Sequence, residues 1–193
     1  MMKMIALEGF FEVTLRNLYS GEKLLVDQLG NLANAASSTK LKTALQQHQK
    51  ETSKQIKRLE AVFELIEIEP GTSALEAVEG VIEKGKEAMQ SLMKFSFLKG
   101  SSTIKAMIEQ GSHMLELFKD SDILDYIIAS GAMLIEQIEI LTYNLAISVA
   151  ERFGYKEAIK LLEDSLKEEK KAFETLAKIA NEESNAFKLA HHG

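Results

Sequence analysis

Along most of the chain, apolar residues recur at alternating steps of three and four, the spacing that turns one stripe of a helix towards a neighbour. Phe11, Leu15, Leu18, Leu25, Leu29 and Leu32 form such a stripe and predict a helix over residues 8–36. Leu41, Leu45, Leu59, Val62 and Ile66 predict a second over 40–68, opened by the turn and N-cap chemistry of Ser37-Ser38-Thr39 and stopped by Pro70-Gly71. So short a connection implies an antiparallel hairpin. A second hairpin follows the same plan. Ile128, Ala132, Ile135, Thr142, Ala146, Val149 and Phe153 predict a helix over 122–153 behind the N-cap candidates Asp120-Ser121-Asp122. Gly154 turns the chain into a last helix over 155–180, with Ile159, Leu162, Leu166, Phe173 and Leu176 on its stripe, and the tail from Asn181 reads as frayed.

Residues 72–119, between the hairpins, read as a long crossover of two short helices separated at Gly100-Ser101-Ser102. Ser73-Ala74-Leu75-Glu76 has the form of a capping box for the first. Val81-Ile82-Glu83-Lys84-Gly85 is echoed 26 residues later by Met107-Ile108-Glu109-Gln110-Gly111, as a local duplication would leave it. The whole is expected to be one all-α domain over 1–193, a four-helix bundle of two hairpins.

Composition agrees with that class and narrows the chemistry. The 193 residues are 46% apolar, enough for a sizeable core, with one proline and little β-branched alternation. A formal charge of −6 without any dense Lys/Arg cluster argues against nucleic acid or an anionic membrane as partner, and favours cationic ligands. With no cysteine, any metal must be held by carboxylate, imidazole or amide. No uncharged apolar run approaches the ~20 residues of a membrane span. Lys3, Glu8, Glu12 and Arg16 interrupt the N-terminal apolar stretch as no secretory signal would allow, so a cytoplasmic protein is expected.

Each stripe meets an intruding glutamate: Glu22, Glu139 and Glu169 stand within theirs, and the second stripe passes through His48, Thr52 and Gln55 with Glu51 beside it. Glu22 and Glu51 are 29 residues apart and Glu139 and Glu169 are 30 apart. At a rise of ~1.5 Å per residue, all four lie roughly 20 Å from their own hairpin turn, so they can share one layer of the bundle. Buried together, such carboxylates must take up protons or bind cations. Carboxylates converging from four helices are the arrangement of dinuclear iron and manganese bundles. Glu22, Glu51, Glu139 and Glu169 are therefore the candidate primary ligands, and His48, Gln55 and Glu136 the auxiliary ones. The Glu-x-x-His pair usual in such bundles is replaced here by the reversed His48-x-x-Glu51. Glu168 lies about 100° round from Glu169 and is expected to point away.

The sequence resembles the YciE/YciF-type ferritin-like family over nearly its whole length. The likeness rests on Leu18-Tyr19-Ser20-Gly21-Glu22-Lys23-Leu24, on His48 to Glu60 with Glu51-Thr52 and Arg58-Leu59-Glu60, and on Ala77-Val78-Glu79-Gly80-Val81-Ile82. It continues through Ile135-Glu136-Gln137-Ile138-Glu139-Ile140 with Tyr143, and through Leu161 to Lys170. The resemblance implies a ferritin-like bundle with a long crossover between its second and third helices, usually a homodimer. It also implies a dinuclear metal site and an association with stress responses. A pair of Fe or Mn ions is the expected cofactor, and iron oxidation or protection against peroxide the expected role. Two positions depart from the family's pattern: Gln137 stands where a histidine is common, and Phe173 where an acidic residue is. They define a competing reading, a metal-free dimeric scaffold on a decayed site.

Overall fold

The computed structural model describes residues 2–70 and 100–192, which form five helices and, among the described residues, no strand. Helix α1 spans Met2–Ala35, α2 Thr39–Leu65, α3 Gly100–Phe118, α4 Leu124–Phe153 and α5 Lys156–His192. Helices α1 and α2 form one hairpin and α4 and α5 the other. Packing of α2 on α5 and of α1 on α4 closes them into a four-helix bundle, while α3 lies against α1 and α4. The bundle and the crossover position of α3 match the sequence expectation. The first crossover helix and its capping box fall outside the described residues.

Helix ends differ from expectation for local reasons. Helix α2 stops at Leu65 because Glu67, at φ 57°, adopts the left-handed conformation. The N–H groups of Glu67 and Ile68 then donate to the carbonyls of Glu64 and Phe63, which terminates the helix before Pro70 is reached. Gly154 ends α4 in the same way at φ 72°, its N–H on Glu151 and that of Tyr155 on Ala150. Helix α4 begins at Leu124, two residues beyond the predicted start, with Ile123 as its N-cap, and Ser121 Oγ accepts from the Ile123 N–H instead. Helix α5 does not fray at Asn181. It runs on to His192, with no proline or glycine to stop it and with Lys40 at the start of α2 paired to Glu182.

The hairpin connection between α1 and α2 is fixed from across the bundle. Buried Asp125, in the first turn of α4, accepts the N–H of Ser37 at 2.8 Å and of Ser38 at 2.6 Å. Ser38 in turn caps α2, its hydroxyl accepting from the Leu41 N–H.

The apolar core falls into two clusters along the bundle axis. One gathers Leu25, Leu29, Leu41, Leu45, Ile128, Ile135 and Ile179, with Ile104 of α3. The other gathers Leu15, Leu18, Leu59, Phe63, Tyr143, Ala146 and Leu162. On every bundle helix buried polar residues stand between the two clusters, and those residues form the site.

Candidate metal centre

Each helix contributes to the intervening layer from a position its apolar stripe carries inward. Helix α1 supplies Glu22, α2 supplies His48, Thr52 and Gln55, α4 supplies Glu136, Glu139 and Tyr143, and α5 supplies Glu169; all are buried. Gly21 beside Glu22 packs closely under α3: a Cβ there would stand 3.0 Å from Ile104 Cδ1, which would have to shift by a few tenths of an ångström.

One ligand atom from each of His48, Glu136, Glu139 and Glu169 lies within 4.8 Å of the other three. His48 Nε2 is 3.0 Å from Glu136 Oε2 and 3.6 Å from Glu169 Oε2, close approaches that lack hydrogen-bond alignment. Among the described residues, every buried side-chain oxygen or nitrogen without a hydrogen-bond partner belongs to this layer. They comprise one oxygen each of Glu22, Glu136 and Glu169, both of Glu139, both ring nitrogens of His48, and the side-chain oxygens of Thr52 and Gln55. Orphaned polar atoms are rare in folded proteins, and their concentration in one place calls for an explanation.

The hydrogen bonds that do form orient the carboxylates. The Tyr143 hydroxyl donates to Glu22 Oε1 at 2.5 Å. Gln55 Nε2 donates to Glu169 Oε1 and, at 3.2 Å, to Glu168 Oε2. Arg58 grips Glu168 with two N–H···O bonds of 2.7 and 2.8 Å, so Glu169 is steadied through Gln55 by a planar ion pair at the edge of the layer.

Electrostatics follow from burial. Loss of hydration pushes the carboxyls of Glu22, Glu139 and Glu169 well above the usual carboxylate range, and neighbouring carboxylates reinforce the shift. Glu136 is raised to about 7, mainly by burial. Burial and the charges of Glu22 and Glu169 likewise push the Tyr143 hydroxyl up. Without a cation, the layer must therefore hold protons. The donor set is one imidazole and several carboxylates with free lone pairs and no thiolate, which fits a hard or borderline divalent ion.

Of the sequence candidates, His48, Glu136, Glu139 and Glu169 are brought together directly, and Glu22 and Gln55 join the same layer. Glu51 is placed differently. It sits at the rim, accepting from Gln47 Nε2 at 3.0 Å with Lys171 Nζ 3.9 Å away, and is not one of the four converging residues. It lines a groove of about 630 Å³ between α2 and α5 that reaches from the surface to His48. Glu136, expected only as an auxiliary, is at the heart of the cluster, because α4 turns both members of its i, i+3 pair inward. Glu168 does not point to solvent but is half-buried against Arg58. The sequence stripe of α4 runs through Thr142, but it is Tyr143 that is buried, and nothing in the sequence marks it as the partner of Glu22.

The chain matches over residues 6–102 and 97–189 the family described as a domain of unknown function, DUF892. It belongs to that family. Protein YciF of Escherichia coli (strain K12) is 30% identical to it over 169 residues, covering 88% of this chain and 87% of YciF. The crystal structure of the E. coli stress protein YciF aligns with a TM-score of 0.74 at 26% identity, over 93% of this chain and 97% of that one. YcfI from Rhodopseudomonas palustris aligns with a TM-score of 0.71 at 25% identity, over 89% and 92% of the respective chains. The two DUF892 matches meet in the crossover, where the sequence carries its near-repeat.

Seen as a DUF892 member, the chain keeps its two departures away from the layer. Gln137 is exposed on the outer face of α4. Phe173 is half-buried and does not line the groove that holds His48 and Glu51, whereas its neighbours Lys171 and Ala172 do. The inward place that the sequence stripe gave to Phe173 is taken by Ala172: the buried residues Ala158, Leu162, Ser165, Glu169, Ala172 and Leu176 step by four and three in turn, and that register puts 172 rather than 173 inward.

Proposed function

We propose that the layer binds a pair of divalent cations, Fe(II) or Mn(II), and that the protein works as a carboxylate-bridged dimetal centre in oxidative stress. The observation that carries this reading is the concentration of the buried unpaired ligand atoms in one layer, four of them converging within 4.8 Å. The converging His48, Glu136, Glu139 and Glu169 act as primary ligands together with Glu22, with Gln55 and, from the rim, Glu51 as auxiliaries. When bound, such ions supply one-electron redox chemistry and Lewis acidity towards oxygen or peroxide. The chain's own residues do the rest. Tyr143 and Gln55 hold Glu22 and Glu169 in place, the two apolar clusters exclude bulk water, and the groove between α2 and α5 gives ions a route past Glu51. The working form is a cytoplasmic homodimer.

Elemental analysis after anaerobic Fe(II) loading and desalting tests the reading. About two ions per chain are expected, as in other dinuclear bundles, falling below one in Glu139→Gln. Metal well below one per chain in the wild-type protein overturns it, and iron oxidation under peroxide would then have no centre to run on.

A further inference from the structure

The layer is approached from a second side. Between α1, α3 and α4 lies a cavity of about 270 Å³ whose wall is apolar along most of its length, formed by Leu25, Leu29, Met107, Ile108 and Ile128 among others. Its polar lining residues are Gln28, Gln110, Ser112 and Glu136, of which Glu136 is 1% exposed and belongs to the converging cluster. Its lining also includes Met114 and Leu134, which are 39% and 60% exposed, so it reaches the surface. The α2–α5 groove, by contrast, carries Lys40, Gln47, Glu51 and Lys171. The layer thus has a polar approach suited to ions and an apolar one that ions would not use.

An apolar cavity of ~150 Å³ holds benzene, six heavy atoms, and stays dry when empty. Scaled by volume, this one takes roughly ten heavy atoms. Its lining, mostly apolar with Glu136 as the one ionisable residue, selects a single-headed molecule. An anionic head would meet the carboxylates of the layer, and a cationic head would compete with metal for them. We propose that the cavity binds a linear alkyl compound of about eight to ten heavy atoms with an uncharged oxygen head, an alcohol or aldehyde, seated with its head at Glu136. The choice of head group rests on the metal reading above; the alkyl site does not.

The experiment uses 1-alkanols. Isothermal titration of the metal-free protein should show affinity rising about fourfold per methylene from 1-pentanol to 1-octanol, then levelling once the chain outgrows the cavity. Gly111→Leu supplies the blocking variant. Gly111 lines the cavity, and a Cβ added there meets nothing within 4 Å, so the substitution fills space and removes a glycine from a helix. It should fold at least as stably as wild type by circular dichroism and lose octanol binding at least tenfold. In Mn(II)-loaded protein, paramagnetic relaxation should be faster at the C1 protons of octanol than at its methyl. No octanol binding to the wild-type protein, or equal binding to Gly111→Leu, overturns the site. Faster relaxation at the methyl overturns the orientation. Failure to retain Mn(II) overturns the metal reading and the head-group choice with it, while the alkanol series still decides the alkyl site.

Discussion

Glu136→Gln, studied in chelator, tests the account of the layer most directly. The wild-type carboxyl is raised from 4.5 to about 7 on folding, chiefly by burial. Between those values the folded chain keeps a proton that the unfolded chain has lost, so stability must fall as pH rises, by ~1.4 kcal/mol per pH unit for one group. Across the window the loss is about 3 kcal/mol, a large share of a typical domain's stability. Gln mimics the protonated carboxyl at every pH and removes this dependence. Wild type and variant should therefore be about equally stable near pH 4.5, with the variant ahead by up to about 3 kcal/mol near pH 7.5. Urea unfolding followed at 222 nm, with EDTA present, measures the difference curve, from which groups common to both proteins cancel. With Mn(II) instead of EDTA the sign reverses for the wild type, because a cation that replaces protons binds more tightly as pH rises. A flat difference curve in EDTA, or one that favours the wild type at high pH, would refute the reasoning.

Other parts of the structure are as readily tested. Gly154→Ala places a side chain at φ 72° and should lower stability by about 1 kcal/mol, while Glu67→Gly at φ 57° should raise it by a similar amount, both by urea titration. Asp125→Ala strips two backbone N–H groups of their acceptor and should cost about 3 kcal/mol, with hydrogen exchange accelerating first at Ser37 and Ser38. Gln55→Ala frees Glu169 from its donor and should weaken metal binding roughly 10- to 100-fold in a chelator competition; unchanged affinity would show that Gln55 does not orient that ligand.

The bundle was legible because its signal is repeated. Helices of 27 to 37 residues in four places, each with an apolar stripe on both sides of one polar interruption, leave few alternatives. The layer was legible for the related reason that each stripe breaks at a similar height. Orientation within the layer was less so. The α4 stripe passes through Ile135 and Glu139 and leaves Glu136 at its edge, yet both sides of that edge are covered, one by the bundle and one by α3. A single helix's periodicity cannot report a neighbour supplied by the crossover. Phe173 failed for a different reason. The expected stripe steps from Glu169 to Phe173, whereas the buried residues step from Glu169 to Ala172 and on to Leu176, and an apolar residue at 173 hides that register in the sequence. Tyr143 and Arg58 act through hydrogen bonds across the bundle, with partners 121 and 110 residues away in sequence, and no local pattern encodes those.

The division of the core explains how the chain tolerates such a layer. A buried polar atom without a partner costs roughly 1–3 kcal/mol, and the layer holds all those found among the described residues. Leucines would be more stable at Glu22, Glu139 and Glu169, as replacing buried ionic groups by packed apolar ones often is. The fold instead flanks the layer with two separate apolar clusters, each closed by aromatic or branched side chains. Phe63 and Tyr143 lie on one side and Leu41, Leu45 and Ile128 on the other. Each fully buried side chain of that kind contributes about 1.5–3 kcal/mol, so two clusters can offset an unsatisfied layer that a single small core could not. The hairpin turns are secured independently, by Gly154 at one end and the Asp125 clamp at the other. Stability is thus supplied at the ends of the bundle, and the middle is left free to hold groups whose arrangement suits a bound cation better than it suits the folded chain alone.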